Sequence, residues 1–112
     1  MKQESKRLKG RKLQNLVKDL ILETFPNNLK PEDVKTPRTG QNGADIILSP
    51  IAQRLIPYQF ETKNQEKFKT IYDMFKQATK HGKKEPVLVI KMNGREALAI
   101  IDLVHFFELI RD

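Results

Sequence analysis

Three side chains in this sequence have types and spacing that point to metal chemistry: Asp45, in Gly43-Ala44-Asp45-Ile46-Ile47, and the pair Glu61 and Lys63, in Ile56-Pro57-Tyr58-Gln59-Phe60-Glu61-Thr62-Lys63. In an extended chain every second side chain shares a face, so Glu61 and Lys63 point the same way. They form either a surface ion pair, worth at most about 1 kcal/mol, or half of a metal site with its lysine. Acid-x-Lys is a weak signal alone, because the chain holds it three times: Glu4-Ser5-Lys6, Asp33-Val34-Lys35 and Glu61-Thr62-Lys63.

Context separates the three. The first lies in a basic end with no scaffold. The second sits between Pro31 and Pro37, a segment unsuited to holding a ligand, with no second carboxylate on a nearby strand. The third ends one apolar strand while Asp45 heads the preceding one. Adjacent strands of a meander usually pair, which would make Asp45 and Glu61 neighbours. Two carboxylates brought together repel unless a divalent cation lies between them. Mg²⁺ suits such a site, since it takes oxygen ligands and uses one or two protein carboxylates.

The elements that must position these residues follow from periodicity. Leu13, Leu16, Val17, Leu20 and Ile21 recur at helical spacing over 8–24, and Phe25-Pro26 ends that helix. Residues 26–43 are rich in proline, glycine and asparagine and read mostly as loop, with room for a short strand near Val34. Ala44 to Leu48 reads as a buried strand, Ser49-Pro50 as a turn, and Pro57 to Lys63 as the returning strand. A helix is expected over 65–81, with Phe68, Ile71, Tyr72, Phe75 and Ala78 as its apolar stripe and Gly82 after its end. Strands over 86–92 and 96–101 flank the hairpin signal Asn93-Gly94. Asp102 is placed to cap a last helix ending near Ile110. The expected fold class is α/β, a central mixed sheet flanked by helices.

The chain of 112 residues suits one domain, 1–112, with a basic extension over about 1–8. No apolar run is long enough to span a bilayer, and the charged N-terminal stretch lacks the apolar core of a signal peptide. Without cysteine there is neither a disulfide framework nor a thiolate metal site, which fits a cytoplasmic location. The net charge of +7 favours a polyanionic partner, nucleic acid being the commonest. That charge is polarised: lysines and arginines crowd residues 2–12 and 67–84, while 95–112 is slightly acidic.

The ordered set resembles the PD-(D/E)xK nuclease superfamily. Asp45 matches its aspartate and Glu61-Thr62-Lys63 its (D/E)xK element; Ala44 stands where a proline is usual. The closer likeness is to Holliday-junction-resolvase-type members and small phage-encoded endonucleases. It rests on Lys9-Gly10-Arg11 in the first helix, Gly43-Ala44-Asp45-Ile46, the run from Glu61 to Glu66, and Gln77-Ala78, covering most of residues 9–91.

The resemblance implies a restriction-endonuclease-like core and a metal-dependent deoxyribonuclease, with branched or junction DNA as a plausible substrate. Asp45, Glu61 and the backbone carbonyl of Thr62 would ligate Mg²⁺ or Mn²⁺, and Lys63 would orient or activate the attacking water. Relatives often carry a glutamate on the first helix where this chain has Gln14. A neutral amide there contributes no charge, and Gln14 reads equally well as an exposed polar position. Gln77 divides the same way between site and solvent. Thr36, Arg38 and Thr39 in the loop before Asp45, with Lys9, Arg11 and Lys12 on the first helix, are the candidate DNA contacts. Junction cutting would call for a symmetric dimer, and a phage-encoded protein would act in the host cytoplasm. His81 and His105 read as structural or exposed. The alternative is a non-catalytic nucleic-acid-binding module on a nuclease-like fold.

Overall fold

The structure is a computed structural model that describes residues 3–37, 45–63 and 68–111. It divides into two units, Met1–Asn64 with Ile110–Asp112, and Gln65–Leu109.

The first unit is built on α1 (Gln3–Thr24), which starts earlier than apolar periodicity alone indicates, so the Glu4-Ser5-Lys6 triplet lies on helical backbone. Val17, Ile21 and Phe25 recur every fourth residue and are buried, with Ile21 fully excluded from solvent. The Thr24 hydroxyl donates back to the Leu20 carbonyl at 2.6 Å, and Phe25 and Leu29 close the chain into a buried turn. A single 3-10 turn over Pro31–Asp33 leads into β1 (Val34–Lys35). β1 pairs antiparallel with β2 (Ile47–Leu48), in the register Val34 to Leu48 and Lys35 to Ile47. Val34 points inward at 0% exposure while Lys35 and Ile47 face out, as the period of two requires.

Ser49-Pro50 starts a helix instead of a simple turn. The Ser49 hydroxyl accepts from the Ala52 N–H at 3.2 Å and Pro50 occupies the first helical position of α2 (Pro50–Leu55). Ala52 and Ile56 are buried and complete the core with Ile46. Residues 57–63, expected as a strand, join no ladder among the described residues. Interposing α2 separates this arm from β2, and Pro57 has no N–H to donate to a ladder.

The second unit contains α3 (Lys69–Thr79), which ends two residues before the expected 81; of its expected start at 65, residues 65–67 lie outside the described residues. It packs against β3 (Val87–Ile90), which forms an antiparallel hairpin with β4 (Leu98–Ile101). Gly94 adopts φ +78° at the Asn93-Gly94 turn, the left-handed conformation that glycine permits. The Asp102 carboxylate accepts from the His105 N–H at 3.0 Å and caps α4 (Leu103–Ile110). Phe107 is buried and meets Phe106 edge to face at 5.3 Å.

The class is therefore mixed α/β, with the described strands arranged as two small antiparallel sheets, one in each unit. Among the described residues no helix is long and apolar enough to cross a membrane.

Candidate functional site

Asp45 and the Glu61-Thr62-Lys63 segment, 17 residues apart, are brought together by two hydrogen bonds. The Thr62 N–H donates to Asp45 Oδ2 at 2.6 Å and the Thr62 hydroxyl donates to the same oxygen at 3.2 Å. Both residues are half-buried. Asp45 is held from its own side by the buried Ile46 and the β2 ladder that follows. The other arm leaves the core at Ile56, which is 1% exposed. Strand pairing was expected to make Asp45 and Glu61 neighbours; among the described residues no ladder joins their segments, and the contact between them is the Asp45 side chain held by the Thr62 amide and hydroxyl.

Glu61 and Lys63 flank that clamp. Lys63 Nζ lies 3.3 Å from Glu61 Oε1, with both side chains 65% exposed. An ion pair so open to water is worth at most about 1 kcal/mol. It holds neither residue strongly, so either can turn to a new partner at small cost. Among the described residues no group of three or more His, Asp or Glu side chains is placed to hold a metal ion. Two carboxylates and a carbonyl are nevertheless a donor set that fits Mg²⁺, which fills its remaining positions with water and phosphate oxygen.

The other expected residues are distributed as follows. Gln14 is half-buried on α1, one turn before Val17 and on the edge of the buried stripe. Lys9, Arg11 and Lys12 are exposed on the same helix, and Thr36 is half-buried just after β1. Arg38 and Thr39 lie outside the described residues. Gln77 is exposed near the end of α3, in the second unit. His81 is exposed, and His105 sits 3.7 Å from Glu108 in the first turns of α4.

The Asp33-Val34-Lys35 triplet is better anchored than its prolines indicate, since Val34 and Lys35 form β1 and the Ser49 N–H donates to the Asp33 carbonyl at 2.8 Å. Its carboxylate already has work, because the Lys30 N–H donates to Asp33 Oδ2 at 2.8 Å. That backbone bond first, then the Ser49 hydroxyl, holds the Asp33 carboxyl below the usual carboxylate range, against a smaller opposing effect of desolvation. A depressed acid stabilises the fold in its ionised form. The contribution is complete above the unfolded value of 3.8 and is lost as pH falls through the lower folded value. Asp33→Ala should therefore be less stable than wild type by a constant margin from neutral pH down to about 4. The margin should shrink under stronger acid, as read from urea midpoints across pH. A margin that grows on acidification would contradict the assignment.

Sequence reasoning gave Thr62 a role through its carbonyl only; the structure adds its N–H and hydroxyl. A hydroxyl residue between the acid and the lysine was the available signal. Comparison with protein-family models, curated proteins and solved structures gave no match.

Proposed function

We propose that this chain is a divalent-metal-dependent deoxyribonuclease of the PD-(D/E)xK type, hydrolysing phosphodiester bonds in DNA on a restriction-endonuclease-like core. Branched or junction DNA is the preferred substrate, cut by a two-fold dimer in the cytoplasm, the host's if the protein is phage-encoded. The observation that supports this reading is the pair of hydrogen bonds from Thr62 to Asp45, which joins the Asp45 carboxylate to the segment of chain that carries Glu61 and Lys63. Asp45, Glu61 and the Thr62 carbonyl would hold Mg²⁺ or Mn²⁺, which when bound polarises the scissile phosphate and makes water a stronger nucleophile at neutral pH.

The chain's own residues do the rest. Thr62 fixes the direction of Asp45 through two donors on one oxygen. Lys63, once Glu61 turns away from it, orients the attacking water and offsets negative charge as the new P–O bond forms and the old one breaks. Lys9, Arg11 and Lys12, exposed on α1, extend the positive surface that follows a phosphate backbone. Gln14 offers an amide to phosphate without adding charge.

The experiment is nicking of supercoiled plasmid with Mg²⁺ or Mn²⁺ against a chelator control. Cleavage is expected only with the divalent ion. The exposed Glu61–Lys63 pair favours a second reading, a binding module whose acid and lysine simply neutralise each other. DNA binding without cleavage under either ion would select that reading.

Binding itself should depend on salt, since each phosphate neutralised by lysine or arginine releases condensed counterion. Affinity should fall at least about tenfold between roughly 50 and 200 mM salt. A flat anisotropy response over that range would remove the argument from the charge of +7.

A further inference from the structure

α3 turns Lys69, Tyr72, Lys76 and Lys80 to one side: at 100° per residue they fall within an arc of about 80°. Lys80, which caps the helix, keeps helical geometry at φ −74° and ψ −12°, so the row continues through it. Lys83 and Lys84 follow on exposed chain. Phe68, Phe75 and Ala78, all half-buried, occupy a different side of the helix. Helical spacing puts Tyr72 at the edge of that apolar stripe, and in the structure it is 69% exposed. Among the described residues no hydrogen bond, ion pair or ring contact holds the side chains of Lys69, Tyr72, Lys76 or Lys80. Asp73 is the one acid in α3, so the face is left with an excess of positive charge.

That excess selects a polyanion, and the open tyrosine narrows the choice. A duplex offers phosphates to lysines but keeps its base faces stacked inside. A single strand offers both, and cations interleaved with an aromatic ring are the combination that tracks it: the cations take the backbone and the ring takes a base. From Lys69 to Lys80 the helix rises about 16 Å, or about five steps of 3.4 Å along one strand. That length is at the short end of the roughly 4–16 nucleotides that single-strand binding folds cover. An acidic peptide would satisfy the lysines and leave Tyr72 unused.

We infer that the outer face of α3 binds single-stranded DNA, with Tyr72 stacked on an unpaired base and Lys69, Lys76 and Lys80 on the phosphates around it. The surface lies wholly within the second unit and adds to the contacts proposed on α1. The choice of DNA over RNA rests on the deoxyribonuclease reading; the test does not require cleavage. Anisotropy in chelator, with labelled oligothymidylate and with a duplex of the same length, compares wild type, Tyr72→Ala and Tyr72→Phe. Tyr72→Ala should lose about tenfold or more in affinity for the single strand and stay within about twofold on the duplex. Tyr72→Phe, which keeps a stacking ring, should stay near wild type on both. Lys69→Gln, Lys76→Gln and Lys80→Gln together should make the slope of log affinity against log salt shallower by about 2 on the single strand.

The chain has two tyrosines and no tryptophan, so in Tyr58→Phe the emission of Tyr72 is read alone, with its ring intact. Saturating oligothymidylate should quench it. Unchanged emission on saturation, or wild-type single-strand affinity in Tyr72→Ala, would overturn the stacking. Equal losses on single strand and duplex would overturn the selectivity, and an unchanged salt slope in the triple lysine variant would remove the phosphates from this face. Polyglutamate that displaces the strand at equal charge would give the surface to acidic peptides instead, and tighter binding of oligouridylate would give it to RNA. Plasmid nicking with Mg²⁺, scored separately, reports on the nuclease reading alone: a protein that never cleaves but shows the Tyr72 effect keeps the single-strand surface and loses the catalytic role.

Discussion

Asp45→Asn and Glu61→Gln should each lower plasmid nicking on the order of a hundredfold or more, the scale of removing a principal electrostatic element from an active site. Neither change should unfold the protein. An asparagine at 45 retains a carbonyl oxygen that can accept from the Thr62 N–H, so the clamp at 2.6 Å has a substitute acceptor. Glutamine at 61 gives up only an ion pair between side chains that are 65% exposed, a loss of about 1 kcal/mol or less. What both variants do lose is one of two negative charges available to a divalent cation. Calorimetric Mg²⁺ titrations should therefore show weakened binding in each. Metal-free DNA binding should tighten, because a negative charge near phosphate has gone. Wild-type metal affinity in both variants would contradict the ligand assignment, whatever happened to the rate.

What the sequence disclosed, and what it did not, divides along the range of the forces involved. The helix around Val17 and Ile21, the Asn93-Gly94 turn and the Asp102 cap were legible because each is decided by residues within one turn of one another. Ser49-Pro50 carried an equally local signal, an N-cap serine followed by proline, but the six-residue helix is too short to display an apolar period. The expected strand over 57–63 failed for a different reason. Ile56, Tyr58 and Phe60 do alternate, yet Ile56 is buried at the end of α2 while Tyr58 is exposed. Period-two spacing describes a chain ready to pair; it does not supply the partner.

The candidate site shows the same division. The expectation that brought Asp45 towards Glu61-Thr62-Lys63 rested on a strand pairing that is absent among the described residues, whereas the Glu61–Lys63 pair followed from side-chain spacing. The backbone N–H that holds Asp45 has no letter in the sequence, because every residue except proline carries one. Asp33 was set aside for its flanking prolines, whereas the structure shows a well-held carboxylate committed to Lys30 and Ser49.

Lys63→Ala should abolish nicking, or nearly so, while leaving Mg²⁺ binding largely intact. The two effects separate because the lysine is not a ligand in the proposed set; both charged ligands, Asp45 and Glu61, remain. Removing Lys63 also frees Glu61 from its 3.3 Å partner, so metal affinity should be unchanged or slightly improved. Folding is not at issue: the lysine is exposed and the glutamate it leaves behind keeps its hydration. The loss therefore falls on the reaction, where a positive charge is needed beside water and phosphate as negative charge builds on the phosphoryl oxygens. Arginine should not fully restore the rate, since its planar fork cannot present charge as the compact ammonium does. Nicking and calorimetry on the same preparations decide the matter. If Lys63→Ala nicks within a few-fold of wild type, the lysine is only the surface partner of Glu61. Should it lose metal binding along with cleavage, Lys63 supports the ligand geometry instead of the chemical step.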